Sequence, residues 1–460
     1  MQAVDATDRT RVLADWIVGL RFAALTPEDL RQLEGLVLDH LGCAYAGARL
    51  PWGVALTEWA KPFAGSGKSM VMGSRLSVPA TVAGLVNASA AHGMELDDTH
   101  DESITHPGAV VIATALAVGA EQGSSGADIL TAVVGGYEAM GRAGAATGAA
   151  DILEKGFHPT ALFGGFGAVA AAARLYGMSS AALCEAWGLM LSMAGGSMQF
   201  SQDAHGTVVK RLHGGYGAHN GIMAAQLARL GLSGPARALD GVYGLGRLFG
   251  SSPRPERLVP QTGEALQIHR ISYKPYPCCR LFHSTLDALR NATGNYSTAN
   301  DNIRKIVVGG PTVLSTQHML RRPTSMMAAQ YSLPFALGAS LIDGPYSIEV
   351  FKPERLGDSR ILALADRVEA IPDAAMEKAF PAHFGSWVEV EFADGTKRRS
   401  DVLDSYGTPA NPMAPEALRD KFAGLVRDTR KDFDVAATFA AVARLPQASD
   451  AGGLLAPFSH

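Results

Sequence analysis

Several things are scarce in this chain of 460 residues, and each scarcity closes off a class of protein. Its four cysteines, Cys43, Cys184, Cys278 and Cys279, are too few for a disulfide scaffold and suit a reducing cytoplasm. None makes a C-x-x-C pair, so neither a zinc nor an iron–sulfur site is indicated. A basic excess is missing: the formal net charge is −4, which argues against a nucleic-acid binder because nothing neutralises phosphates. Long hydrophobic runs are missing too. The uncharged stretches 107–120 and 159–173 fall short of the roughly 20 residues a membrane span needs, and their Ala and Gly read as buried helix. The N-terminus lacks a basic region followed by an apolar one, so no secretory signal is expected. Aromatic residues make up 7%, little for a large apolar cavity.

What is present is a soluble balance, 47% hydrophobic and 18% charged, in a chain long enough for more than one domain. The first half repeats a helical period. Thr26-Pro27-Glu28-Asp29 is a helix start, with Thr as N-cap and Pro at the first helical position. Periodic patterns follow over 81–93, 110–122, 126–141, 164–176, 180–194 and 217–229, with Ala and Gly at the facing positions. Pro and Ser cluster near 251–263, and strand signals begin beyond. The stretch 268–273 alternates, 303–308 is β-branched, and 387–392 alternates into Asp394-Gly395, a hairpin turn. Helices are expected at 283–292, 325–341, 360–366 and, after the strands, 415–445. The expected fold is mainly α. A large all-helical domain is built from 1–268 and from a return at 404–460, and a smaller α/β lid domain spans 269–403.

Chemistry concentrates between Glu95 and His106. Glu95, Asp97, Asp98, Asp101 and Glu102 share that stretch with His100 and His106, directly before the uncharged run from Pro107. Carboxylates and imidazoles against an apolar wall have displaced pKa values, which proton transfer requires. Asp97-Asp98-Thr99-His100-Asp101 also spells D-D-x-x-D, a pattern that holds magnesium against diphosphate in helical terpenoid synthases. No second Asp-rich motif accompanies it. Three further segments carry His158 (Gly156-Phe157-His158-Pro159-Thr160), Lys210, Arg211 and His213 (Lys210-Arg211-Leu212-His213), and Lys274, Cys279 and Arg280 (Lys274 to Arg280). Together they describe a pocket for a small polyanion. Lys210, Lys274 and Arg280 would bind its carboxylates, and histidines would move protons at the adjacent carbon.

These segments, with Leu38-Asp39-His40-Leu41-Gly42 and Thr105-His106-Pro107-Gly108, make the chain resemble the MmgE/PrpD family over nearly its whole length. That family includes 2-methylcitrate dehydratase, cis-aconitate decarboxylase and iminodisuccinate epimerase. The resemblance implies a helical domain with a lid, a homodimer, and catalysis without metal or organic cofactor. It implies His106 as principal acid–base group and His158 as the second, with Asp97 and Thr99 orienting the histidine or substrate. Lys210 and Lys274 would clamp substrate carboxylates, and Glu95, His213, Cys279 and Arg280 complete the expected substrate contacts. Two departures bear on the substrate. Glu95-Leu96 stands where relatives often read Asp-Phe, and Cys279 falls about where mammalian-type decarboxylases carry a histidine, which counts against cis-aconitate decarboxylation. The first expectation is therefore a hydro-lyase dehydrating a hydroxy di- or tricarboxylate such as 2-methylcitrate. A dicarboxylate epimerase comes next, then a decarboxylase.

Overall fold

The helix start expected at Thr26 forms by reciprocal capping. Thr26 Oγ1 accepts from the Asp29 amide at 3.1 Å while Asp29 Oδ2 accepts from the Thr26 amide at 2.7 Å. The helix it opens, Pro27–Gly47, leads a computed structural model that describes residues 7–203, 207–296 and 302–459. Helix dominates throughout.

The chain separates into two compact units. The first comprises Met1–Ser197, Lys210–Ile271 and Ala414–His460, the second Met198–Val209 and Ser272–Met413. These bounds differ from the texture of the sequence, which places the junctions at 268/269 and 403/404.

In the first unit Ala80–Gly93, Pro107–Gln122, Gly126–Thr147, Pro159–Leu175 and Val209–Arg229 form the helices around the Glu95–His106 segment. Small residues let them approach closely. A Cβ at Gly221 would lie 2.4 Å from the Ala168 Cβ, and one at Gly47 would lie 2.0 Å from the Ala90 carbonyl oxygen. Backbone contact of this kind leaves no room for a side chain. Two histidines in His-Pro pairs open helices here. His106 is the N-cap of Pro107–Gln122 and His158 that of Pro159–Leu175. Proline keeps the residue before it extended and is itself suited to the first helical position, so each His-Pro pair marks a helix start. The stretch expected as one helix over 415–445 is two, Pro415–Thr429 and Val435–Ala443.

The second unit holds a four-stranded sheet ordered Val368–Pro372, Ile303–Gly310, Ser386–Phe392, Lys397–Val402. The first pair is parallel and the other two antiparallel. Val388, Val390 and Phe392 are buried on one face, as their alternation requires. Two expectations fail locally. The alternating 268–273 stretch is mostly a 3-10 turn, Gln267–Arg270, with only Ile271–Ser272 extended. The 325–341 helix breaks into Met326–Gln330 and Leu333–Asp343 because Ser332 caps a new helix, accepting from the Phe335 amide at 3.1 Å, with Pro334 in its first turn.

Two glycine substitutions are expected to act in opposite directions. Gly47→Ala should lower stability by about 1–3 kcal/mol through overpacking. Gly424→Ala, at an exposed position inside the Pro415–Thr429 helix where a Cβ meets nothing within 4 Å, should raise it by about 0.5–1 kcal/mol. Denaturant midpoints of the two variants check both signs.

Candidate active site

The Glu95–His106 segment is buried rather than solvated. Glu95, Asp97, Asp98 and His100 are at most 2% exposed, whereas His106 retains 8%. Glu95 (φ 56°) and Ile104 (φ 51°) lie in the left-handed region, costly for side chains of their size. Their conformation persists because the surroundings over-determine it. The Glu95 carboxylate accepts hydrogen bonds from Lys210 Nζ and, at 3.3 Å, from Arg211 Nη1. The Arg211 guanidinium lies over the Trp52 ring at 4.6 Å. One residue on, the Leu96 carbonyl accepts from Lys421 Nζ at 2.6 Å, and the same ammonium donates to Asp39 Oδ1 at 2.6 Å.

Asp97, Asp98 and Glu102 each have their own partners. Asp97 Oδ2 is 2.7 Å from His92 Nδ1 and 3.6 Å from His106 Nδ1. Asp98 Oδ1 accepts from the Gly108 amide at 2.8 Å, and its Oδ2 accepts from the Tyr137 hydroxyl at 2.6 Å. Glu102 turns away, to Arg257 at 2.5 Å and Arg270 at 3.3 Å. His100, which shares the acidic stretch with His106, does not join the other imidazoles. Its Nδ1 accepts from the Ser103 amide at 3.2 Å and its Nε2 lies 2.9 Å from Gln267 Oε1, so it braces the turn.

The imidazoles brought together are His92, His106, His158 and His213. Ring centroids are 5.0 Å apart for His92–His106, 5.7 Å for His92–His158 and 4.9 Å for His158–His213. The Nδ1 atoms of the last pair are 3.0 Å apart, so one carries a proton and the other accepts it. The state of His106 follows from its neighbours. Its Nδ1 is 2.8 Å from the Asp98 carbonyl oxygen, an atom that can only accept, so Nδ1 bears the proton in the neutral ring and Nε2 keeps its lone pair. The Thr99 hydroxyl lies 3.5 Å from the same Nδ1, and Thr160 Oγ1 accepts from the His106 amide at 3.1 Å.

Burial sets the proton affinities. It holds His158 well below the usual imidazole range, helped by the charges of His213, Lys210, His92 and His106. It pulls His213 down to about 4, with Lys210 contributing. It pushes Asp98 up to about 7 against the donors Tyr137 and Gly108. At neutral pH His158 and His213 are therefore neutral imidazoles. His92, Asp97 and His106 also bring one ligand atom each within 4.8 Å of one another, close enough to hold a metal ion.

Asp97, Thr99, His106, His158, Lys210 and His213 thus belong to one region of the first unit. Glu95 and Lys210, expected as separate substrate contacts, are each other's partners. Lys274, Cys279 and Arg280 belong to the second unit, where all three are buried. There Arg280 Nη1 donates to Ser405 Oγ at 3.0 Å, and the Cys279 amide donates to the Gln330 carbonyl at 2.9 Å. Sequence reasoning assigned no role here to His92, Tyr137 or Lys421, and named Arg211 only as a cation of the Lys210–His213 segment. His92 carried a signal, a histidine closing an apolar helix just before the acidic run. Tyr137 and Lys421 carried none.

A buried cluster of imidazoles with the Asp97 carboxylate against two of them is an arrangement able to carry acid–base chemistry. The matches to known proteins make this particular. The MmgE/PrpD N-terminal domain matches residues 11–258 and the MmgE/PrpD C-terminal domain residues 276–444, so the chain belongs to the MmgE/PrpD family. It is 28% identical to a cis-aconitate decarboxylase of Aspergillus terreus over 93% of this chain and 92% of that one. It is 30% identical to the cis-aconitate decarboxylases of Mus musculus (91% and 88% covered) and Homo sapiens (90% and 86%).

The depressed histidines carry a pH signature. His40 and His213 are each drawn to about 4 in the folded chain from 6.5. Between those values the unfolded chain binds more protons, so stability rises with pH from about 4 to 6.5 and then levels. Asp98, raised from 3.8 to about 7, works the other way over its own window and removes part of the gain. Melting temperature should therefore climb between pH 4.5 and 6.5, and His213→Gln should make that climb shallower. An unchanged slope in the variant would contradict the assignment.

Proposed function

We propose that this chain is a lyase that moves a proton at the carbon beside a carboxylate of a small polycarboxylate, with His106 as the principal proton carrier. The observation that carries the reading is the commitment of His106 Nδ1 to the Asp98 carbonyl, which leaves Nε2 as the basic nitrogen of the least buried of the four clustered imidazoles. Asp97 and Thr99 orient this ring from 3.6 and 3.5 Å. Asp97 also lowers the cost of the imidazolium that forms when Nε2 takes a proton. His158 is the second proton group. Its ring centroid lies 5.7 Å from that of His92, and its Nδ1 lies 3.0 Å from His213 Nδ1, so it can pass a proton within the cluster. Glu95 takes up one of the two positive charges of Lys210 and Arg211, leaving a single net charge to meet a carboxylate on which negative charge develops.

The reaction proposed first is dehydration of a hydroxy di- or tricarboxylate of the 2-methylcitrate kind. A second reading, decarboxylation of an unsaturated tricarboxylate, is favoured by the fungal and mammalian relatives, which bear the name cis-aconitate decarboxylase. In both, an atom next to a carboxylate exchanges a proton with an imidazole, and the two differ in which bond breaks.

EDTA-treated protein incubated in D₂O with hydroxy-, amino- and unsaturated polycarboxylates, followed by NMR, separates the outcomes. Alkene formation from a hydroxy acid is expected. Carbon dioxide release from an unsaturated acid supports the second reading, deuterium uptake with inversion indicates an epimerase, and turnover abolished by EDTA contradicts a metal-free mechanism. His106→Ala should reduce the observed turnover by about 10²–10⁴-fold with an unchanged circular dichroism spectrum. Near-normal turnover in that variant would sink the assignment.

A further inference from the structure

We infer that Tyr137 and Asp98 form a positioning device that fixes the tautomer of His106, a role that rests on reading His106 as the proton carrier. Asp98 makes two kinds of contact at once. Its backbone carbonyl accepts the His106 Nδ1 proton at 2.8 Å, and its side chain bridges two helices. Oδ1 takes the amide of Gly108, one of the first-turn donors that the Pro107–Gln122 helix cannot satisfy internally. Oδ2 takes the hydroxyl of Tyr137, a fully buried residue of the Gly126–Thr147 helix. The three contacts close a loop from residue 98 to residue 108 with His106 inside it, so the carbonyl cannot turn away from the ring while the side chain stays tethered.

Two observations mark this as a device rather than incidental capping. A Cβ at Gly108 would lie 2.9 Å from both Asp98 Oδ1 and Tyr137 Oη, so the bridge occupies the space that a side chain there would need. Asp98 is also only 2% exposed, and its side-chain partners are a phenol and a backbone amide rather than a cation. A desolvated carboxyl held this way is an expensive way to cap a helix. It is economical if the residue must also hold its own carbonyl against a reactive imidazole. Tyr137 acts on His106 through Asp98, whose side chain it holds and whose carbonyl accepts the ring proton.

The experiment is NMR of the whole protein labelled with ¹⁵N-histidine at pH 8, without substrate, with His106 assigned by its loss in His106→Ala. The wild-type ring should show the proton on Nδ1. Tyr137→Phe, which keeps the ring and removes one tether, should admit the Nε2-protonated form. It should also lower kcat on whichever panel compound turns over by about 10- to 100-fold, with KM changed less than about threefold. Asp98→Ala should do the same more strongly. Asp98→Asn, whose amide can accept from Gly108 and donate to the Tyr137 oxygen, should restore most of what Asp98→Ala loses. A wild-type His106 protonated on Nε2, or a Tyr137→Phe protein with unchanged tautomer and unchanged kcat, overturns the inference. If the tautomer shifts occur while the wild type turns over nothing in the panel, the positioning role stands and the reaction proposed above falls.

Discussion

Removing Glu95 from water while leaving it charged is the constraint on which the rest of this region depends. A carboxylate buried without a partner costs several kcal/mol, so the backbone at Glu95 is held where Lys210 and Arg211 can reach it, even in a left-handed conformation. Those two residues begin the first turn of the Val209–Arg229 helix, and that helix in turn packs through Gly217 and Gly221 on Pro159–Leu175, which His158 opens. Fixing Glu95 therefore fixes the relation between the acidic segment and His158. The same logic recurs along the segment. Lys421 and Asp39 hold Leu96, His92 holds Asp97, and Tyr137 holds Asp98, each partner arriving from a different helix.

The Ala and Gly content of the helices is what makes such a dense polar region possible. Backbones that approach to the contact seen at Gly47 and Gly221 bring several helix ends within reach of one short segment. Those ends carry unsatisfied amides, and Asp98 uses one of them at Gly108. His158 and His213 are kept neutral by burial and by the charge of Lys210. A set of imidazoles in ring contact beside a carboxylate can pass a proton between its members, which is the common requirement of the reactions considered above.

Much of this was legible in the sequence where the determinants are local. The Thr26 cap, both His-Pro helix starts and the Asp394-Gly395 hairpin are fixed by a few neighbouring residues. So was the concentration of chemistry between Glu95 and His106. What was not legible is pairing over distance. Nothing local tells that Glu95 pairs with Lys210, that Lys421 reaches Asp39 from near the far end of the chain, or that Tyr137 holds Asp98. His100 shows the converse. Its neighbours make it look equivalent to His106, but a short turn closed by Ser103 and Thr105 sends it to Gln267. Alternation misled at 268–273 because a period of two over so few residues does not distinguish a strand from a turn.

The account rests on Glu95 and Lys210 neutralising each other inside the protein. A double-mutant cycle with Glu95→Gln, Lys210→Met and the pair, read by equilibrium unfolding, measures that coupling directly. Each single change should cost about 3–5 kcal/mol by leaving a buried charge with an incomplete partner set, and the double variant should be markedly more stable than the sum of the two losses implies. Strictly additive losses would show that the two groups do not depend on one another, and would contradict the account.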